Sequence, residues 1–98
     1  MNDLKDKLNK AKAGWSYLWS LLEKEAKREK VKAKVLTEFY KYQVELYSTK
    51  YKLDFIEKQI KLSDLSKEEH QIIDEALSMH ISNFQAIAFT IENLLHEN

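Results

Sequence analysis

The chain of 98 residues contains no proline and a single glycine, Gly14. Folds built from strands and tight turns need these residues at regular intervals, because glycine supplies positive φ angles and proline fixes the turn backbone. Their near absence therefore predicts long helices. A chain of this length builds one hydrophobic core, so we expect a single all-α domain over residues 1–98.

The clearest helix start is the sequence KLSDLSKEEH, residues 61–70. Ser66 followed three residues later by Glu69 forms a capping box, in which each side chain accepts a hydrogen bond from the other residue's backbone N–H. From Ser66 a helix runs to about residue 96, with apolar residues in one arc and polar residues opposite. Phe89 lies in the middle of the polar face, which makes it a candidate contact for a partner.

The middle segment, residues 31–62, also has helical periodicity, but it carries two apolar stripes about 140° apart. One stripe contains Ala33, Leu36, Tyr40, Val44, Tyr47, Tyr51 and Phe55, and the other contains Val35, Phe39, Tyr42, Leu46, Leu53 and Ile60. Because two stripes suggest two neighbours, we expect one to pack on the last helix and the other on the N-terminal segment. The tyrosines would then be half-buried, with their hydroxyl groups at the edge of the core.

The N-terminal segment has one apolar stripe, but residues 23–34 (EKEAKREKVKAK) contain no helix breaker, so two architectures remain open. We favour an antiparallel three-helix bundle of residues 3–27, 31–62 and 66–96. The alternative is one long helix over 3–62 plus the helix 66–96, assembled as a homodimeric helical bundle. The bundle is favoured because the last helix covers only half of such a rod, and helices of that length are rare in small domains.

The sequence GWSYLW, residues 14–19, holds both tryptophans. Trp15 lies near the centre of the apolar arc of the first helix, so we expect it in the core, whereas Trp19 lies at the edge of that arc. Tyr17 and Leu21 lie on the outer side of the helix. Together with Phe89, the residues Tyr17, Leu21 and Trp19 are our candidate partner-binding residues.

The formal net charge is zero, but the charges are unevenly distributed. Residues 1–34 carry ten Lys or Arg against five Asp or Glu, whereas residues 63–98 carry one against seven. In an up-down-up bundle the basic first helix and the acidic third helix lie side by side, so we expect ion pairs between them. Exposed pairs contribute little free energy, and they bias the helix arrangement rather than hold the fold.

Catalytic and metal-binding patterns are missing from the sequence. The chain has no cysteine and no glycine-rich phosphate loop, and His70, His80 and His96 each lack the Glu three residues earlier that helical carboxylate metal sites use. His80 falls in the apolar arc, where burial would disfavour its charged form. We therefore expect no enzymatic activity, no cofactor and no metal ion.

The remaining expectation is a small cytoplasmic protein–protein interaction module that binds and occludes or tethers a larger partner. Inhibitors, immunity factors and adaptors of bacterial or phage accessory elements have this composition. One alternative is a homo-oligomeric structural protein, for example a homodimer. Another is a protein that associates with the membrane surface through the basic amphipathic first helix. Nucleic acid is an unfavourable partner because Arg28 is the only arginine and the lysines are mixed with glutamates.

Overall fold

The computed structural model describes residues 2–28, 30–62 and 64–97. They form three α-helices: α1 (Asn2–Ala26), α2 (Ala33–Lys61) and α3 (Lys67–Glu97). α2 runs antiparallel to its two neighbours, and α1 and α3 lie parallel, with Lys7 beside Asp74 and Gly14 beside Phe84. The three-helix bundle is thus confirmed, and the alternative of one helix over residues 3–62 is wrong.

The chain reverses direction between α1 and α2 without any glycine or proline. The backbone N–H groups of Lys27 and Arg28 each donate to a carbonyl three residues earlier at 3.3 Å, which tightens the end of α1. Lys30 then has a φ of 65°, in the left-handed region that non-glycine residues rarely adopt. The guanidinium of Arg28 lies 2.8 Å from the carboxylate of the buried Glu25, so the two opposite charges compensate each other.

The connection between α2 and α3 ends in the expected capping box. The Glu69 backbone N–H donates to Ser66 Oγ at 3.1 Å, and the Ser66 backbone N–H donates to Glu69 Oε1 at 3.2 Å. These two bonds satisfy donors that the first turn of a helix otherwise leaves without partners. α3 begins one residue after Ser66, as the sequence predicts.

The core is a column of aliphatic side chains with two phenylalanines, supplied equally by the three helices. Its members are Leu4, Leu8, Ala11, Leu18 and Leu22 of α1, Val35, Phe39, Leu46, Leu53 and Ile56 of α2, and Ile73, Leu77, Phe84, Ile87 and Ile91 of α3. α1 packs closely against both other helices, whereas the contact between α2 and α3 is the sparsest of the three. The core therefore centres on α1.

Only one of the two apolar stripes of α2 enters this core. The other, from Tyr40 to Phe55, faces solvent, and its five large side chains are each between 53% and 72% exposed. The expectation that both stripes pack and that Tyr40, Tyr47 and Tyr51 are half-buried is wrong. The physical reason is the geometry of the bundle: α1 and α3 lie side by side beneath the same face of α2, so a single arc contacts both.

Two ion pairs join α1 to its neighbours. Lys7 Nζ lies 2.8 Å from Asp74 of α3, and Lys12 Nζ lies 2.9 Å from Glu57 of α2. The hydrogen bond from Lys12 and the positive charge of that side chain lower the pKa of Glu57 below its ordinary value. The basic first helix therefore does lie beside the acidic third helix, with one ion pair between them among the described residues.

The single glycine lies where α1 and α3 approach closely. A Cβ atom at Gly14 would lie 3.3 Å from Cδ2 of Phe84, tighter than ordinary van der Waals contact. Glycine in a helix interior costs about 1 kcal/mol relative to alanine. The loss is offset because the missing side chain leaves room for the buried ring of Phe84.

Replacing Lys30 with glycine should stabilise the fold, because glycine adopts a positive φ without the steric penalty that lysine has. We expect Lys30→Gly to raise the free energy of unfolding by about 0.5–1 kcal/mol, or Tm by roughly 3–6 °C. Lys10→Gly, within α1, is the control and should lower Tm. A lower Tm for Lys30→Gly in thermal melts followed by circular dichroism would contradict the strained turn.

Enlarging Gly14 should have the opposite effect. Gly14→Val adds a Cβ atom and two methyl groups against Phe84, and overpacking of this kind costs about 1–3 kcal/mol. Ala13→Val, at the neighbouring exposed position, is the matched control and should cost only a few tenths of a kcal/mol, about the difference in helix propensity. If denaturant unfolding showed the same loss of unfolding free energy for both variants, the contact between Gly14 and Phe84 would not limit packing.

Candidate protein-binding surfaces

Five of the ten large hydrophobic side chains that are exposed among the described residues lie in one stripe of α2. We call it the α2 aromatic face, and it consists of Tyr40, Val44, Tyr47, Tyr51 and Phe55. These residues are spaced by three or four positions, so they form one line about 22 Å long at 1.5 Å per residue. The line lies on the side of α2 opposite the core. Contiguous exposed apolar surface of this kind is typical of protein–protein contact sites.

A row of aromatic rings connects this face to α1. The rings of Trp15 and Trp19 stack with centroids 5.4 Å apart, Trp19 lies 6.0 Å from Tyr47, and Tyr47 lies 5.9 Å from Tyr51. The row therefore joins the half-buried tryptophans of α1 to the exposed tyrosines at the centre of the face.

The anchor of this row is Trp15, whose side chain is half-buried against the core. Its indole N–H donates to the Leu46 carbonyl of α2 at 2.6 Å, and Lys50 Nζ lies 5.5 Å from its ring centroid. The hydrogen bond satisfies the one polar atom of the ring, and the ammonium group is attracted to the electron-rich ring face. Trp15 is thus a structural link between α1 and α2 at the border of the core, rather than fully inside it.

A shallow groove lies beside the α2 aromatic face. It has a volume of about 600 Å³ and is lined by Trp19, Tyr40, Gln43, Val44, Tyr47 and Ser48. Two of the polar groups that line it, the Gln43 amide and the Ser48 hydroxyl, can donate and accept hydrogen bonds. The surface therefore combines an apolar ridge with an adjacent concave region, as protein interfaces commonly do.

The predicted binding residues fall on different parts of the molecule. Trp19 is half-buried and contacts Tyr47, so it belongs beside the α2 aromatic face. Tyr17 is 58% exposed and lines a narrower groove of about 190 Å³ between α1 and α3, and Phe89 is 66% exposed on α3. Leu21 is not on the outer side as expected: it is half-buried and packs against the core.

Sequence reasoning missed the five residues of the α2 aromatic face as a binding surface because it assigned them to the core. The distinguishing signal was side-chain chemistry. The buried residues of α2 are aliphatic apart from Phe39 and Thr49, whereas three of the five exposed residues are tyrosines. Tyrosine places a polar hydroxyl at its tip and suits a surface that is exposed at one time and covered at another.

The one histidine of the apolar arc, His80, is half-buried at the α2–α3 side and stacks on Phe84 with ring centroids 6.2 Å apart. Burial and, to a smaller extent, the positive charge of Lys52 lower its pKa below the ordinary value of 6.5. It is therefore neutral at pH 7. Over residues 2–28, 30–62 and 64–97, no three His, Asp or Glu side chains group into a metal-binding cluster.

None of the described helices combines the length and the apolar character that crossing a bilayer requires. Comparisons of this chain with protein-family models, with curated proteins and with solved structures found no match.

The low pKa of His80 predicts a specific dependence of stability on pH. The unfolded chain binds a proton near pH 6.5, whereas the folded protein resists protonation until a lower pH, so protonation favours unfolding. The contribution of His80 to stability is complete above about pH 6.5 and decreases as the pH falls towards the folded pKa.

The substitution His80→Gln should flatten the curve of unfolding free energy against pH in that window, measured by urea unfolding. Lys52→Gln should flatten it in part, because it removes only the smaller of the two causes. An unchanged slope in the His80→Gln variant would show that His80 does not carry the dependence.

Proposed function

We propose that this chain is a small, non-enzymatic, cytoplasmic protein-interaction module that occludes or tethers a larger protein partner. The observation that supports this most strongly is the α2 aromatic face. Four aromatic side chains and a valine lie in one line, more than half exposed, on a helix whose opposite face already fills the core. The bundle itself has no need of these apolar groups, and water contact makes them unfavourable.

The chemistry of the face suits a protein partner. Tyrosine and phenylalanine are enriched at the centres of protein interfaces, where they bury large areas with few rotatable bonds. Lys41, Lys50 and Lys52 border the face on either side, which would leave the charged groups at the rim after binding. This order, apolar in the middle and charged at the edge, is the usual anatomy of an interface.

A second candidate surface contains Tyr17 of α1, and Phe89 is a further exposed aromatic residue, on α3. Tyr17 lies at the groove between α1 and α3, on a different side of the bundle from the α2 aromatic face. Two separate surfaces support tethering in particular, because a tether must hold two chains at once.

The membrane-surface alternative has less support. It requires the apolar side of α1 to enter the lipid headgroup region, but Leu4, Leu8, Leu18 and Leu22 are at most 5% exposed and belong to the core. Only a helix that left the bundle would present them to lipid, at the cost of the core on which the fold depends.

The proposal is tested by affinity capture from the native host, followed by purification of the captured protein and calorimetric titration. Tyr47→Ser/Tyr51→Ser disrupts the α2 aromatic face and Tyr17→Ser/Phe89→Ser disrupts the second surface. Ile72→Ser/Met79→Ser is the matched control, since these are exposed apolar residues of α3 outside both surfaces. We expect all three to keep Tm within a few degrees of the wild type.

One of the two surface variants should weaken partner binding at least about tenfold, the effect of losing central aromatic contacts. The control variant should bind as the wild type does. Equal affinity of all variants for the captured protein would contradict the proposal. So would a loss of affinity in the control variant as large as that in the surface variants.

A further inference from the structure

We infer that the α2 aromatic face binds a second copy of this chain, with the two α2 helices antiparallel about a two-fold axis near Tyr47 and Ser48. The inference rests on the proposed function, because it takes the same face as a protein-binding surface and assigns that face to a second copy, which leaves Tyr17 and Phe89 for the larger partner. Three observations carry it: the symmetry of the residue spacing, the area of the face and the distribution of charge around it.

Four of the five residues of the face are spaced symmetrically along α2, and the fifth, Tyr47, has Ser48 as its counterpart. Tyr40 and Phe55 lie equally far from the midpoint between residues 47 and 48, and so do Val44 and Tyr51. A two-fold interface requires that if residue i meets residue j, then j also meets i. Antiparallel α2 helices satisfy this condition here, since Tyr40 of each copy meets Phe55 of the other and Val44 meets Tyr51.

The area is sufficient for a specific dimer. Full burial of an aromatic side chain removes about 150–250 Å² from water, and four such side chains are more than half exposed on this face. With Val44 included, each copy exposes about 600 Å² on this face, so a pair buries at most about 1,200 Å² in total, the lower limit for specific interfaces. The contact therefore needs the whole face, which a second copy of equal length covers.

The charges do not oppose this pairing. No charged side chain lies on the line between Tyr40 and Phe55, so closing the pair would not bury an ion without a partner. The borders carry both signs, with Lys41, Glu45 and Lys52 along one edge and Lys50 and Asp54 along the other. The net charge of the chain is zero, so two copies have no long-range repulsion to overcome.

Sedimentation equilibrium over a concentration series tests the pairing. The wild type should approach twice the mass of one chain, and Val44→Glu/Tyr51→Glu should stay at the mass of one chain, because the pair would bury four carboxylates. Ile72→Glu/Met79→Glu is the matched control: Met79 is 72% exposed, as is Val44, but it lies on α3. The control should associate as the wild type does.

The arrangement is tested separately by crosslinking, for which a chain without cysteine offers a clean background. In single-cysteine variants treated with a short bismaleimide, Ser48→Cys should form covalent dimers because position 48 lies beside the two-fold axis. Thr37→Cys should not, since antiparallel copies hold these positions about 30 Å apart. Both positions are exposed, so neither substitution disturbs the core.

Each outcome distinguishes the inference from the proposed function. A wild type that remains monomeric at all concentrations overturns the second copy as partner. If Tyr47→Ser/Tyr51→Ser then still lost binding of the captured protein, the proposed function would remain supported. A dimer that persists in Val44→Glu/Tyr51→Glu overturns the choice of face. Equal crosslinking at positions 37 and 48 overturns the antiparallel arrangement in favour of a parallel one.

Discussion

The burial of α1 between two neighbours is the constraint from which the rest of the structure follows. Its leucines contact both other helices, and a helix of the length of α3 covers only one helix of similar length. An unbroken helix over residues 3–62 would leave Leu18, Leu22 and both tryptophans in water. Burying one leucine is worth about 2 kcal/mol, whereas a strained residue such as Lys30 costs about 1–3 kcal/mol. The chain therefore reverses between α1 and α2, although the residues of that connection, apart from Val31, are good helix formers.

This reversal also decides which side of α2 stays exposed. Because α1 and α3 lie side by side, α2 can satisfy both with one arc, and a second apolar stripe has nothing left to contact. Helical periodicity detects both stripes but contains no information about where the neighbouring helices lie. The capping box at Ser66 and the single arc of α3 were predictable, since each depends on residues within one helix or one turn. The turn at Lys30 and the orientation of α2 were not, since they depend on the packing of all three helices.

The same difference between local patterns and helix packing explains which exposed residues could be predicted. The exposure of Tyr17 and Phe89 was predictable from the sequence, because each interrupts an otherwise polar side of its helix. The exposure of the α2 aromatic face was not, because its residues continue a pattern that a core helix also shows. The sequence places Trp19 at the edge of the apolar arc of α1. Its contact with Tyr47 shows that this edge continues directly into the exposed face of α2.

Antiparallel pairing through α2 would also explain how so small a chain tethers another protein. The groove at Tyr17 lies between α1 and α3, on the side of the bundle away from α2, so the pairing would leave it uncovered in both copies. The dimer would thus present two identical surfaces directed away from its axis. Two linked sites bind a target that carries two copies of the recognised feature far more tightly than one site does, because the second binding step is intramolecular. A modest contact at Tyr17 and Phe89 is then enough, and the larger α2 aromatic face determines whether the protein acts as one site or two.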